Sequence, residues 1–211
     1  MDSNFWLQKW QDNNIGFHKS EANPALVKHF GELSLPNSSR VFVPLCGKTL
    51  DIAWLLSKGD RVAGAELVEL AIEQLFEELK VSPKISRVGE VSLYSAKDID
   101  IFVGDIFDVS GKTLGSVDAI YDRAALIALP EEVRKRYTAH LMEITDKAPQ
   151  LLVTCEYDQS LMEGPPFSIS QEEVNKHYSD SYSLSLISST DVVGGLKGKY
   201  DVKESVWLLQ N

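Results

Sequence analysis

Residues 40–66, RVFVPLCGKTLDIAWLLSKGDRVAGAE, join a glycine-containing turn to an acid roughly 20 residues further on, a spacing suited to holding a nucleotide. The tail Gly47-Lys48-Thr49 invites phosphate chemistry, because a P-loop ends in Gly-Lys-Ser/Thr. A P-loop also needs a glycine five positions before Gly47, and Phe42 stands there. A dinucleotide pyrophosphate requires the bare backbone of G-x-G-x-x-G, whereas residues 45–50 offer Gly47 alone. A ligand with adenosine and ribose but no phosphate tolerates Leu45 and Cys46 in this turn and still uses Glu66. S-adenosylmethionine is the common ligand of that description.

Two further charged positions close predicted strands. Asp105, in GDIFD, either satisfies turn amides or meets an adenine amino group with Ile106 packed on the ring. Arg123 either pairs with the adjacent Asp122 or binds a carboxylate such as that of a methionine moiety. Glu66 has its own ordinary alternative, capping the helix that follows it. Trp6 and Trp10 fall on one helical face and read by default as packing residues, although aromatic faces over a sulfonium gain roughly 0.5–2 kcal/mol. The four histidines are scattered with no H-x-x-x-H pair, so no metal is expected. No G-x-S-x-G elbow supplies a nucleophile.

The elements that must position these residues alternate. Residues 41–43, 61–65, 99–103, 117–121 and 150–157 read as strands, and 92–95 as a short one. Helices are predicted over 4–11, from Pro24 behind an Asn23 cap to residue 30, over 49–59, over 67–79 on an apolar stripe, from Pro130 to 147, and over 171–178. Two last strands, 182–187 and 202–209, have no helix between them. The pattern predicts a mostly parallel sheet with an antiparallel hairpin at its edge, and ligands of such sheets sit outside the carboxyl ends of the strands. Leu45, Glu66, Asp105 and Arg123 all fall there.

The composition narrows the partners. With 211 residues the chain is long enough for one unstapled domain. Its 31 acidic and 21 basic side chains leave a charge of −10, which argues against nucleic acid. Two lone cysteines make neither a disulfide framework nor a Cys-x-x-Cys site, and a reducing cytoplasm suits them. No stretch approaches the ~18 apolar residues of a membrane span, and MDSNFWLQKW lacks a basic segment followed by an apolar core. A cytoplasmic monomer is expected.

FWLQKWQDNNIGFH at 5–18, VFVPLCGKTLD at 41–51, GAELVELAI at 64–72, DIFD at 105–108, YDRAAL at 121–126 and GPPF at 164–167 resemble the thiopurine S-methyltransferases, the bacterial members most closely. The resemblance spans nearly the whole chain. It implies a Rossmann-like, doubly wound α/β fold: a mostly parallel seven-stranded sheet, an antiparallel C-terminal edge hairpin, and an N-terminal helical lid over residues 1–35 of a single methyltransferase domain, 1–211. It implies S-adenosylmethionine contacts at Trp10, Leu45, Glu66, Asp105, Ile106 and Arg123, with Phe17 between cofactor and acceptor. The implied reaction carries the methyl group to the sulfur of an aromatic or heterocyclic thiol by in-line displacement, without a strong base, and releases S-adenosylhomocysteine. Selenium or tellurium compounds are the alternative acceptors, linked to resistance to those elements, and a binding protein without turnover is the alternative class.

Overall fold

The computed structural model describes residues 3–211; Met1 and Asp2, the start of the expected lid segment, lie outside the described residues. Helices α1 (Ser3–Gln11) and α2 (Pro24–His29) precede the sheet. Asn23 starts α2 as expected, its side chain accepting from the Ala25 N–H while Pro24 fills the first turn. The 40–66 unit follows as β1 (Arg40–Pro44), α3 (Leu50–Ser57) and β2 (Arg61–Glu66). Val41 and Val43 enter one core cluster and Phe42 the other, so β1 is buried on both faces, as a short apolar run in a parallel sheet must be. Thr49 caps α3 by accepting from the Asp51 N–H, and Gly59 turns the chain at φ +86° into β2.

The chain continues through α4 (Glu69–Leu79), β3 (Lys84–Val88), β4 (Val91–Ala96), β5 (Ile99–Val103), α5 (Gly111–Leu114), β6 (Ala119–Arg123), α6 (Glu131–Ile144), β7 (Gln150–Glu156), α7 (Gln171–Tyr178), β8 (Ser183–Asp191) and β9 (Lys203–Gln210). All nine strands form one sheet in the order β3-β4-β5-β2-β1-β6-β7-β9-β8, with β5, β2, β1, β6 and β7 mutually parallel. Helices α2, α3 and α4 cover one face through Leu26, Ile52, Leu55, Ile72 and Leu75; α5, α6 and α7 cover the other through Leu114, Tyr137, Leu141 and Val174. The fold is therefore doubly wound. The strand order reverses between β1 and β6, where the rim beyond the carboxyl ends opens into a crevice.

Among the described residues the sheet has nine strands, which corrects the expected seven. An antiparallel meander of β3, β4 and β5 extends the edge opposite the C-terminal hairpin. Two-residue turns make it: Gly89-Glu90, with Gly89 at φ +60°, and Lys97-Asp98, with Asp98 at φ +63°. Strand β3 is exposed on both faces along most of its length, Ile85 included, so burial imposed no alternation on KISRV for a reader to find.

Asp122 and Arg123 end β6 and point to opposite faces, as neighbours in a strand do. The ion-pair alternative for Arg123 is thereby removed. Asp122 is fully buried, accepting from Tyr137 Oη at 2.7 Å and from the Leu126 N–H at 3.1 Å. Burial pushes its carboxyl up to about 6, against the pull of those donors. A folded-state value above the unfolded one means that the folded protein holds this proton more tightly, so the group's contribution to stability falls as pH rises between about 4 and 6. The stability of the native protein relative to D122N should decline across that window by up to about 3 kcal/mol, at 1.36 kcal/mol per pH unit. Urea titrations of both proteins at several pH values check this; a difference that is flat or grows with pH contradicts it.

Candidate active site

The crevice at the reversal is a cavity of about 700 Å³, and residues from α1, the segment behind it and the ends of β1, β2, β6, β7 and β9 line it. At β1 the chain turns through Leu45 at φ +47° and Gly47 at φ +51°. A leucine in the left-handed region costs on the order of 1 kcal/mol, and such strain persists where surrounding contacts enforce it. Two contacts do so here: Cys46 N–H donates to the Ala65 carbonyl at 3.0 Å, and Gly47 N–H donates to Glu66 Oε2 at 2.8 Å. A Cβ on Gly47 would stand 3.0 Å from Trp10 Cζ2. The Trp10 ring thus lies across the bare glycine and ties α1 to the turn.

Glu66 is 7 % exposed, and each of its oxygens accepts a backbone N–H, Oε2 from Gly47 and Oε1 from Val68 at 2.9 Å. Burial pushes its carboxyl up, while the N–H groups of Val68, Gly47 and Leu67 pull it down. The capping alternative is realised through Val68, one residue before α4. It does not exhaust the carboxylate, since each oxygen can accept a further hydrogen bond and Glu66 is among the lining residues of the cavity. Lys48, the lysine of the GKT tail, turns away to Glu78 on α4 at 2.8 Å. Asp51 lies beneath, 1 % exposed, with Oδ1 accepting the Asn23 N–H at 2.6 Å and Oδ2 accepting Tyr121 Oη at 3.1 Å. It joins α2, α3 and β6 under the cavity.

The N-terminal aromatic residues form one stack of edge-to-face rings. Centroids are 5.1 Å apart for Phe5 and Trp6, 5.8 Å for Trp6 and Phe17, and 5.7 Å for Trp10 and Phe17. Arg123 Nη1 donates to the Phe17 carbonyl at 3.4 Å and so fastens this stack to the end of β6. The next residue, Ala124, takes φ +62°, which turns the chain sharply away from the rim. Ile127, Ala128, Pro165 and Pro166 form an apolar wall further along. Arg134 braces that wall, donating to Glu173 at 2.5 Å and lying over the Phe167 ring.

Trp10, Phe17, Leu45, Glu66 and Arg123 all occur in the cavity lining. Asp105 and Ile106 are not among its lining residues. Asp105 follows β5, whose Val103 is in register with Glu66, but its carboxylate accepts the Phe107 N–H at 3.1 Å and starts a short helical turn. The Ile106 side chain belongs to the core. Sequence reasoning missed Asp51, Tyr121, Cys155 and Glu204. Asp51 resembled an ordinary first-turn acid, and Glu204 an exposed strand charge. Cys46 and Cys155 are among the lining residues, but their thiols are poor nucleophiles: burial holds Cys46 well above its ordinary value and pushes Cys155 up to about 12. Among the described residues no cluster of His, Cys, Asp or Glu could hold a metal ion, and no helix is long and apolar enough to cross a membrane.

The family model for thiopurine S-methyltransferase matches residues 1–211. The chain belongs to the thiopurine S-methyltransferase family. It is 53 % identical over 211 residues to the thiopurine S-methyltransferase of Xanthobacter autotrophicus, covering 100 % of this chain and 99 % of that one. It is 51 % identical over 209 residues to that of Teredinibacter turnerae, covering 99 % and 97 %. Membership makes the chain an S-adenosylmethionine-dependent methyltransferase. Among solved structures, the Burkholderia thailandensis 1,6-didemethyltoxoflavin-N1-methyltransferase, crystallised with S-adenosylhomocysteine, superimposes with a TM-score of 0.67 at 14 % identity over 99 % of this chain and 87 % of its own. The magnesium protoporphyrin IX methyltransferase of Synechocystis gives 0.64 at 13 % over the full length of both. These two likenesses concern the fold.

Proposed function

We propose that this methyltransferase transfers the methyl group to the sulfur of aromatic or heterocyclic thiols, thiopurines among them, by in-line displacement. The observation that carries the reading is a single cavity lined both by the strained turn with Glu66 and by the apolar residues Ile127, Ala128, Pro165 and Pro166. The residues present fit the donor. Glu66 keeps acceptor capacity for ribose hydroxyls, and the turn at Leu45 and Gly47 presents backbone without a phosphate cradle. Arg123 supplies a cation for the methionine carboxylate, and the half-buried Asp105, next along the rim from Glu66, suits the adenine amino group. The Ile106 side chain is committed to the core, so its backbone N–H is the group available to the base.

When bound, the donor supplies a methyl group on a positively charged sulfur. The stack of Phe5, Trp6, Trp10 and Phe17, which we read as the lid of a single domain, closes over that charge and excludes water. Phe17 stands between donor and acceptor. The flat apolar wall takes an aromatic ring face and directs its sulfur toward the methyl carbon, so that positioning contributes most of the acceleration.

The test measures S-adenosylhomocysteine release with 6-mercaptopurine, with thiophenol, with selenite and with no acceptor. Release with the two thiols in excess of the others supports the reading. Tight S-adenosylmethionine binding with no thiol-dependent release overturns it.

A further inference from the structure

Glu204 on β9 lies in register with Cys155 on β7 and Thr190 on β8, and it lines the cavity. Val206 and Leu208, two and four residues on, pack in the same cluster as Tyr121 and Val153. Strand alternation therefore brings the Glu204 side chain to the face that also carries Tyr121 and Arg123. The groups whose charges act on it are Arg123 from β6 and Lys19 from the segment behind α1; it acts in turn on Tyr121 and Cys155, and Thr190 on β8 is uncharged. Burial pushes its carboxyl up, with Arg123 and then Lys19 opposing. Among the described residues, no hydrogen bond holds this carboxylate. It caps no helix. A half-buried acid without a hydrogen bond opposes folding, and an apolar side chain at this position of β9, between β7 and β8, would serve the fold better.

Resting on the thiol reading above, we propose that Glu204 is the proton acceptor for substrates that enter as neutral thiols. Glu204 takes the S–H proton as the sulfur's electron pair forms the new S–C bond. The old C–S bond breaks with its pair staying on the departing neutral thioether, and Glu204 then passes the proton to water. Thiols already ionised at neutral pH have no proton to give, so Glu204 sorts acceptors by acidity. A carboxyl held above its ordinary range is the better base for this task.

The experiment compares the wild type with E204Q on two acceptors at neutral pH: 4-nitrothiophenol, which is ionised, and phenylmethanethiol, which is not. E204Q should lower kcat by at least about tenfold on phenylmethanethiol and by less than about threefold on 4-nitrothiophenol. It should also remove the acid limb of the phenylmethanethiol pH profile. A readout without turnover accompanies it: a raised folded-state carboxyl makes the stability of wild type relative to E204Q fall as pH rises, and thermal midpoints from about pH 4 to 8 should show that fall. Should E204Q not fold, E204D is run on the same thiols, and its shorter arm gives the same selective loss. An equal loss on both thiols, or none, overturns the role of Glu204 alone. Failure of the wild type to methylate either thiol overturns the sulfur reading and this role with it.

Discussion

E66Q is expected to weaken S-adenosylhomocysteine binding by about 100-fold and to lower the unfolding free energy by about 2 kcal/mol. The two effects share one cause. Both Glu66 oxygens accept backbone N–H groups, from Gly47 and Val68, in a site almost closed to solvent. A glutamine has one acceptor oxygen and one donor NH₂, so one of those amides would face another donor and lose its bond. The turn at Leu45 and Gly47 relies on that anchoring to hold its left-handed conformation. Release would move the turn backbone, and under the proposed site the ribose would lose a charged acceptor at the same time. Calorimetry with S-adenosylhomocysteine and urea unfolding measure the two parts. An affinity within about threefold of the wild type would remove Glu66 from the nucleoside site, since one charged hydrogen bond alone accounts for more.

D51A should cost about 3–4 kcal/mol of stability. Truncation leaves the Asn23 N–H and Tyr121 Oη unpaired in the interior and opens a void below the turn. D51N should cost less than half as much. Its oxygen can keep the Asn23 N–H, and its NH₂ can donate to the Tyr121 hydroxyl, which accepts as readily as it donates. Urea midpoints with unchanged m-values would give both numbers. Equal costs for the two variants would mean that the negative charge, rather than hydrogen-bond pairing, stabilises this junction.

The local grammar of the chain made much of this legible. An apolar triplet, a single glycine, a capped helix and a terminal acid are consecutive, so residues 40–66 declared their unit without tertiary information. Alternation of strands and helices likewise implied the parallel core and the C-terminal hairpin. Strand β3 escaped because both its faces meet solvent. For Asp105 the sequence left two readings open, and the fold shows its carboxylate accepting within its own turn, while the Ile106 side chain packs into the core for reasons no local window contains.

Sequence by itself thus determined the family, the order of the central elements and the residues that end each strand, because these depend on neighbours along the chain. Tertiary structure alone decided which of those ends face one another. Trp10 meets Gly47, Asp51 meets Tyr121 and Asn23, and Glu204 on β9 comes to the face of Arg123 on β6, with β7 between them. Those meetings span tens of residues or more and are fixed by burying both faces of one sheet, a constraint that no local window contains.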